Sequence, residues 1–332
     1  MKYRVIMILV FFQYQISIAQ KDSLRFGLKG KIIRVLANSS ISSSEFYAGL
    51  KGKRLGAGLI YHSNDFGNTW IPLHGGKPIG PYVSDIQSIS VGNDSKETIY
   101  AGTWKNGLYK TKDKGKTWER DMRFPTSDVR DIKTGIQNSN LVYAATSAFG
   151  VVKSIDGGNN WKRCRPKTID STFKFAWAIE IDKRNDSIIY ALTYFKGVWK
   201  SIDQGETWEK ILDTKRKVCW DMKISKDSKE IWVASSKRRD SISSIYHSVD
   251  EGDTWTEIPN TPQIGINQIN ILEESDKNSL IIGGWQKGIF VLRKENWVKI
   301  DSIDFEEISE ILVNDNGLLI GTWGNGIYHT KL

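Results

Sequence analysis

Carboxylates are the side chains of this sequence that come closest to a catalytic constellation. Asp85, Asp131 and Asp221 lie in short apolar stretches that resemble one another. Two carboxylates held about 5 to 9.5 Å apart can serve as the acid and base of glycoside hydrolysis, so these three are candidate catalytic residues. The competing interpretation is that they bind water or pair with Arg34 and Arg130. We favour the second interpretation, because a motif alone is weak evidence of catalysis.

Alignment of the repeats described below places these carboxylates in one column of the pattern. That column holds Arg34, Asp85, Asp131, Ala178, Asp221, Gln268 and Glu310, and the column before it holds Ser84, Arg130, Trp177, Trp220, Asn267 and Ser309. We expect both columns to face a central channel, with Arg130, Trp177 and Trp220 among the ligand-binding residues.

Aromatic and basic residues recur in a second set of positions. Short loops carry Trp104, Tyr194, Trp285 and Trp323 in one column, and another such loop holds the basic run Lys237-Arg238-Arg239. Sugars stack on aromatic faces, and anions pair with Lys and Arg. The pattern therefore predicts a surface that binds an acidic glycan or an acidic protein segment. The alternative is that the aromatic column packs between repeats as part of the structure.

A short motif marks the repeat that must position these residues. Five segments share the pattern S/T-x-D-x-G-x-T/N-W, and we name them the box segments: Ser63–Trp70, Thr111–Trp118, Ser154–Trp161, Ser201–Trp208 and Ser248–Trp255. Successive box aspartates are 48, 43, 47 and 47 residues apart. We expect each aspartate to accept hydrogen bonds within a tight turn, and each glycine to adopt the positive φ that the turn requires.

Each repeat contains four short strands. Alternating β-branched and aromatic stretches precede and follow every box segment, and no window shows the 3.6-residue apolar period of a helix. Four strands in about 45 residues predict a blade of a β-propeller. The last repeat lacks its fourth strand, so we predict that Ser23–Leu28 supplies it and closes a ring of seven blades, with six or eight as alternatives.

The N-terminus indicates export. Lys2 and Arg4 precede the apolar run Val5–Phe12, and Ala19 ends a stretch of small residues. This arrangement is typical of a cleaved signal peptide and is too short to span a bilayer. We therefore predict a signal peptide over residues 1–19, one propeller domain over 20–332, no membrane span, and a secreted or periplasmic monomer.

Cysteine, histidine and charge bound the function further. Cys164 and Cys219 are predicted to lie on different blades and to remain free thiols, although export permits a disulfide. The four histidines lack metal-ligand spacing, so we predict no metal and no cofactor. The formal net charge of +9 favours acidic partners. Export and the lack of a nucleic-acid module argue against nucleic acid.

The box segments resemble those of the BNR/Asp-box superfamily, which includes sialidases, xyloglucanase-type glycoside hydrolases, the sortilin luminal propeller and photosystem II assembly factors. The resemblance spans nearly the whole chain after residue 19. It implies a structural role, on the face opposite the usual binding face, for the box aspartates Asp65, Asp113, Asp156, Asp203 and Asp250. Xyloglucanase-type enzymes use aspartates of first strands in a cleft between two propellers, whereas this chain provides one. The nearest match to the sialidase Arg-Ile-Pro motif, Arg123–Pro125, follows the second box segment and is misplaced.

Two functions follow as expectations. The first is an exported binding or assembly propeller without catalysis, for a carbohydrate or an acidic partner. The second is a sialidase-like or xyloglucanase-like glycoside hydrolase that uses Asp85, Asp131 or Asp221.

Overall fold

The computed structural model describes residues 25–330, except 55, 94–97, 167–171, 216, 237–241, 273–278, 287, 294, 301–302, 304–306 and 315–316. Twenty-eight strands are found there, in seven four-stranded antiparallel sheets, together with one 3-10 turn at His74–Gly76. The strands are β1 (Arg25–Gly27), β2 (Ile32–Asn38), β3 (Phe46–Lys51), β4 (Ile60–Ser63), β5 (Ile71–Pro72), β6 (Ile86–Val91), β7 (Ile99–Thr103), β8 (Gly107–Thr111), β9 (Glu119–Arg120), β10 (Val129–Thr134), β11 (Val142–Thr146), β12 (Gly150–Ser154), β13 (Lys162–Arg163), β14 (Ala176–Ile181), β15 (Ile189–Thr193), β16 (Gly197–Ser201), β17 (Glu209–Leu212), β18 (Val218–Ile224), β19 (Ile231–Ser236), β20 (Ser243–Ser248), β21 (Thr256–Glu257), β22 (Ile266–Leu272), β23 (Ser279–Gly284), β24 (Ile289–Arg293), β25 (Asn296–Lys299), β26 (Ile308–Asn314), β27 (Gly317–Thr322) and β28 (Ile327–Thr330).

Seven blades form a closed ring, as predicted. Blades 1 to 6 are β2–β5, β6–β9, β10–β13, β14–β17, β18–β21 and β22–β25, each a meander of neighbouring strands. Blade 7 has the order β26, β27, β28 and β1, so the N-terminal strand Arg25–Gly27 completes the last sheet. The innermost strands of successive blades contact one another, and β26 contacts β2. Closure through β1 satisfies the edge that β28 would otherwise expose.

The hydrophobic core lies between the blades. Each of the seven blade interfaces holds one cluster of buried side chains drawn from the two adjacent sheets. Large aromatic residues of the second strands, such as Tyr47, Tyr100, Tyr143 and Tyr190, are almost fully buried there. Alternation in a strand sends successive side chains to its two faces, so every blade packs on both neighbours and the ring has no separate central core.

The box segments form the turns between the third and fourth strands. In all five, the aspartate accepts the backbone N–H four residues later at 2.8 to 2.9 Å, and the first hydroxyl accepts the glycine N–H. The glycines have φ between 78° and 95°, which side chains disfavour. These bonds confirm the turn predicted from the pattern. The five turns lie on one face of the ring, which we name the turn face.

Lysines link the turns to neighbouring blades. Lys110, Lys153 and Lys200 occupy equivalent positions in the third strands of blades 2, 3 and 4. Each donates to a carbonyl oxygen of the next blade's box segment, at 3.5, 2.7 and 2.9 Å. Cys164 follows β13 and Cys219 lies in β18. Both thiols are free, as predicted, and both are buried.

The repeat alignment was wrong in blades 1 and 2, where Arg34, Ser84 and Asp85 were placed in the wrong columns. Every first strand has a β-bulge, and the bulged residues are Arg34, Gln87, Arg130, Trp177, Trp220, Asn267 and Ser309. Arg34 therefore belongs with Arg130, and Asp85 corresponds to Asp128 instead of Asp131. The similar strings Val83–Ile86 and Val129–Ile132 suggested the false match, because the sequence does not reveal where a bulge inserts its extra residue.

Candidate functional site

Two columns of residues surround the channel mouth on the face opposite the turn face. The first is the bulge column given above. For the second, we take the second-strand residue that pairs with the position just before each bulge, and the column is formed by the residue that follows it. The second column holds Lys51, Trp104, Ser147, Tyr194, Ser236, Trp285 and Trp323. We name these two columns the rim. A bulge turns its side chain out of the regular alternation, which is how each blade presents one extra residue at the channel mouth.

Five aromatic residues of the rim form a continuous arc. Trp177 lies 4.8 Å from Tyr194 and 5.9 Å from Trp220, between ring centroids. Trp220 lies 6.0 Å from Trp285, which in turn lies 5.7 Å from Trp323. The contacts of Trp220 are close to edge-to-face, at interplanar angles of 75° to 87°. The arc therefore joins blades 4, 5, 6 and 7, and all five of its members belong to the predicted ligand-binding set.

An arginine stacks on each end of the arc. The Arg130 guanidinium lies 4.8 Å from the Trp177 ring centroid, and the Arg34 guanidinium lies 4.8 Å from that of Trp323. Lys51 lies 5.2 Å from the Trp323 centroid on the same blade as Arg34. Cations over aromatic faces in a half-buried site are held in place without losing their charge. The rim is thus an aromatic arc with a guanidinium fixed at each end. Each guanidinium lies beside one carboxylate, Asp128 or Asp85, and Lys51 adds a further cation at the Trp323 end.

Hydrogen bonds fix the direction of the Arg130 side chain. Its Nε donates to Ser147 Oγ at 2.7 Å, and one terminal nitrogen donates to Asp128 Oδ2 at 2.9 Å. Trp220 donates to Ser236 Oγ at 2.6 Å in the same way. Where the second column has a serine, the neighbouring bulge residue is therefore anchored by it.

Asp85 is a buried partner of Arg34. The carboxylate is 2% exposed, and its Oδ1 lies 3.3 Å from Arg34 Nε without hydrogen-bond geometry. Burial raises the pKa of Asp85, although Arg34 and Lys51 oppose that rise. Burial also lowers the pKa of Arg34, with Asp85 opposing it. The contact matches the interpretation that Asp85 pairs with arginine, and places it away from the other two catalytic candidates in the repeat.

Asp131 and Asp221 link neighbouring first strands. Asp131 accepts the N–H of Ile132 at 2.8 Å and that of Ile179, in the next blade, at 2.9 Å. Asp221 accepts the N–H of Met222 at 2.8 Å and that of Ile269, in the next blade, at 3.0 Å. Both oxygens of each carboxylate are thus engaged by backbone amides. A group that holds two strands together is poorly placed to exchange protons with a substrate.

The channel beneath the rim has a charged wall and a neutral wall. Its cavity is about 960 Å³. The charged wall holds Lys133 near Asp131 and Glu180 at 3.8 and 3.7 Å, and Lys223, which donates to Asp221 at 2.8 Å. Glu310 lies in the same wall, and burial raises the pKa of its carboxyl to about 8. The neutral wall consists of small residues of blades 1 and 2, including Val35, Ala37, Ser88 and Ser90.

Sequence reasoning missed the exposed Tyr82 and Phe175 around the rim, and it left Phe195 out of the predicted ligand-binding set although Phe195 adjoins Tyr194 in the same loop. Tyr82, Phe175 and Phe195 are 66, 36 and 40% exposed, beside the predicted Trp104 at 39%. Lys105 and Lys174 lie 5.0 Å from the ring centroids of Trp104 and Phe175. Tyr82 and Phe175 lie in links between blades, outside any repeat column. The available signal was a large aromatic residue in a polar link, which a search for repeats does not register.

Other predicted residues contribute less. Trp104 is on the rim but outside the arc, and Lys237, Arg238 and Arg239 lie outside the described residues.

His62 and His247 contact Glu45 and Glu230 at 2.6 and 3.0 Å. Within the described part of the chain, no three His, Cys, Asp or Glu side chains are grouped as metal ligands. None of the helical segments described there has the length and apolar character to cross a bilayer.

Comparison with known proteins gives the fold. No protein-family model and no curated protein sequence matches the chain. Among solved structures, a GH74 enzyme from Niastella koreensis is 17% identical, with a TM-score of 0.71 over 90% of this chain and 52% of that one. YCF48 from Cyanidioschyzon merolae is 13% identical, with a TM-score of 0.67 over 93% and 98%. An extracellular domain from B. thetaiotaomicron is 16% identical, with a TM-score of 0.68 over 92% and 39%. The chain thus spans about half the length of the GH74 enzyme, and these likenesses show the propeller fold alone.

Proposed function

We propose that the protein is an exported binding propeller whose rim holds an acidic partner, either an anionic glycan or an acidic protein segment. The observation that carries this proposal is the arc from Trp177 to Trp323 with Arg130 and Arg34 stacked on its ends. Such a surface offers apolar contact area together with fixed cations, which suits anionic groups displayed on a stacking or apolar scaffold. The export leader over residues 1–19 and membership of the Asp-box superfamily belong to the same proposal.

A propeller of similar fold that binds a peptide is consistent with a binding role. The structure of YCF48 bound to D1 peptide is similar to this chain, with 16% identity and a TM-score of 0.63 over 93% of this chain and 94% of that chain. Others are GH74 enzymes. The propeller supports both kinds of function in other proteins, so the argument for this chain rests on its own rim.

Hydrolysis is the second candidate. Two observations favour hydrolysis. The fold is similar to that of GH74 enzymes. Burial raises the pKa of Glu310 to about 8, and a carboxyl that is protonated at neutral pH can act as a general acid. Against it, Asp131 and Asp221 are occupied by backbone amides and Asp85 by Arg34. We therefore place binding first.

Binding is tested with residues 20–332 and two immobilised probes, polygalacturonate and polyglutamate. Arg130→Gln keeps a polar side chain at the rim and removes the charge. We expect it to weaken binding about tenfold, the equivalent of about 1.4 kcal/mol. Arg123→Gln is the matched control, since Arg123 donates to Asn159 of a box segment, on the turn face.

The outcomes separate the alternatives. Retention on one probe identifies the class of partner, and equal retention of both variants contradicts the proposal. Shortened polygalacturonate chains after incubation would favour the hydrolase, in which case Glu310→Gln should abolish the products.

A further inference from the structure

The turn face carries exposed aliphatic side chains on three consecutive blades. Ile155, Ile202 and Val249 occupy the second position of the box segments in blades 3, 4 and 5, and they are 67, 68 and 61% exposed. The same position holds Asn64 and Lys112 in blades 1 and 2. Because the box hydrogen bonds repeat from blade to blade, the three side chains leave the turn face from equivalent points. Neighbouring exposed aliphatic groups of this kind indicate an interaction surface.

The charge of the box segments changes steadily along the same blades. The blade 2 segment has three lysines against one aspartate, a net charge of +2. The segments of blades 3, 4 and 5 carry only acidic residues, for net charges of −1, −2 and −3. The aliphatic residues therefore lie between a basic end and an acidic end of one surface.

Internal ion pairs leave the two ends unequally neutralised. Glu206 of blade 4 pairs with Lys153 and Lys162, at 2.6 and 2.7 Å. Glu251 of blade 5 pairs with Arg184 at 2.8 Å. Asp253 of blade 5 is exposed, as are Lys112 and Lys116 of blade 2. The middle of the surface is thus close to neutral, and charge remains at its two ends.

This arrangement is self-complementary under a two-fold rotation. A two-fold axis in the plane of the turn face, running between blades 3 and 4, exchanges blade 2 with blade 5 and blade 3 with blade 4. It brings the lysines of one copy to Asp253 of the other, and Ile155 of one copy to Ile202 of the other. An isologous interface requires this kind of match between a surface and its own rotated copy.

We propose that the turn face binds a second copy of this chain, forming a two-fold dimer through Ile155 and Ile202. The same axis places Val249 opposite Lys112 of the other copy, where it can pack on the aliphatic stem of that lysine. The lysines of blade 2 pair with the acidic box segment of blade 5 across the interface. The proposal replaces the expectation of a monomer stated above. It is independent of the partner bound at the rim, because the two rims point outward in such a dimer and both remain open.

Sedimentation velocity over a range of protein concentrations tests the proposal on the chain of residues 20–332. We expect a reversible dimer whose dissociation constant rises with salt. Ile202→Lys should raise that constant at least about tenfold. Lys112→Glu with Lys116→Glu should do the same, and addition of Asp253→Lys to that double variant should restore the dimer, since the charges are then exchanged across the axis.

Ile71→Lys is the matched control, because Ile71 is 60% exposed on the outer strand of blade 1, directly after the box segment of that blade and outside blades 2 to 5, which form the proposed interface. It should leave the dimer unchanged, and all variants should keep the melting temperature that the wild type has at concentrations where it is monomeric. A wild-type chain that is monomeric at every concentration overturns the proposal. So does a dimer that Ile202→Lys leaves intact, or a charge exchange that fails to restore association.

Discussion

The two faces of the propeller use the same repeat in opposite ways. On the turn face, five box segments place the same residue types in the same hydrogen bonds, at distances that agree within 0.1 Å for the aspartate-to-amide bond. On the rim, the bulge column holds five different residue types in seven blades: Arg, Gln, Arg, Trp, Trp, Asn and Ser. Uniform residues do the same structural task in every blade, whereas a varied ring presents a surface that differs from blade to blade. Positions that repeat a residue type in this chain therefore contribute to stability, and positions where the residue type varies from blade to blade form a candidate binding surface.

The largest effect is expected from a substitution in a box segment, which should change stability without changing binding at the rim. Asp203→Ala removes the acceptor for the Thr207 N–H at 2.8 Å and for the hydroxyls of Ser201 and Thr207. We expect the free energy of unfolding to fall by about 1–3 kcal/mol, because those donors lose their partner. Binding at the rim should be unchanged, measured on the same samples by denaturant unfolding and by retention on the acidic probes.

Glu209→Ala is the control for that substitution, since Glu209 is exposed on the adjacent strand β17. It should change stability by much less. If Asp203→Ala lost rim binding under conditions where it is fully folded, the two faces would be coupled. That result would contradict the view that one face serves stability and the other binding.

The same two regions should respond to pH with opposite signs. Hydrogen bonds from the box segments hold the pKa of Asp113, Asp156 and Asp250 at about 2. Asp203 also has a pKa of about 2, against burial. Groups whose pKa is lowered on folding stabilise above their ordinary value of 3.8 and lose that contribution as the pH falls through about 2. In the channel, burial raises the pKa of Glu310 to about 8. Its contribution is complete below the ordinary value of 4.5 and is lost as the pH rises through about 8.

Thermal melts across pH therefore distinguish the regions. We expect the melting temperature to fall steeply between pH 4 and pH 2, and less steeply in Asp203→Asn. Glu310→Gln should match the wild type near pH 4 and be more stable than the wild type at pH 9. A wild-type advantage at pH 9 would show that Glu310 is stabilised as a carboxylate, against the direction argued from its burial.

The sequence was sufficient for the fold because the fold depends on what repeats. Four strands per period, the box turns and the strand that closes blade 7 follow from spacing, and β1 pairs with β28 where the missing strand was expected. The rim was harder to predict. A bulge leaves no mark in the sequence, so Arg34 and Asp85 were aligned in the wrong column, and the exposed Tyr82 and Phe175 lie in links between blades, outside the periodic positions. Physical contact between Arg34 and Trp323, on the first and last blades, follows only from the closed ring.

One free thiol lies beneath each face, so the two thiols can report on the two faces separately. Cys164 packs under the box segment of blade 4, where a Cβ on Gly205 would approach its Sγ to 2.9 Å. Cys219 lies next to the rim residue Tyr194, since the Cys219 N–H donates to the Tyr194 carbonyl at 3.1 Å. Burial raises their pKa values to about 12 and about 11. We expect neither thiol to react with a disulfide reagent at pH 8 in the native protein, and both to react in denaturant. Measured separately in Cys164→Ser and Cys219→Ser, the remaining thiol reports opening of one face alone. Faster labelling of Cys164 than of Cys219 would contradict the view that the uniform turn face is the more stable one.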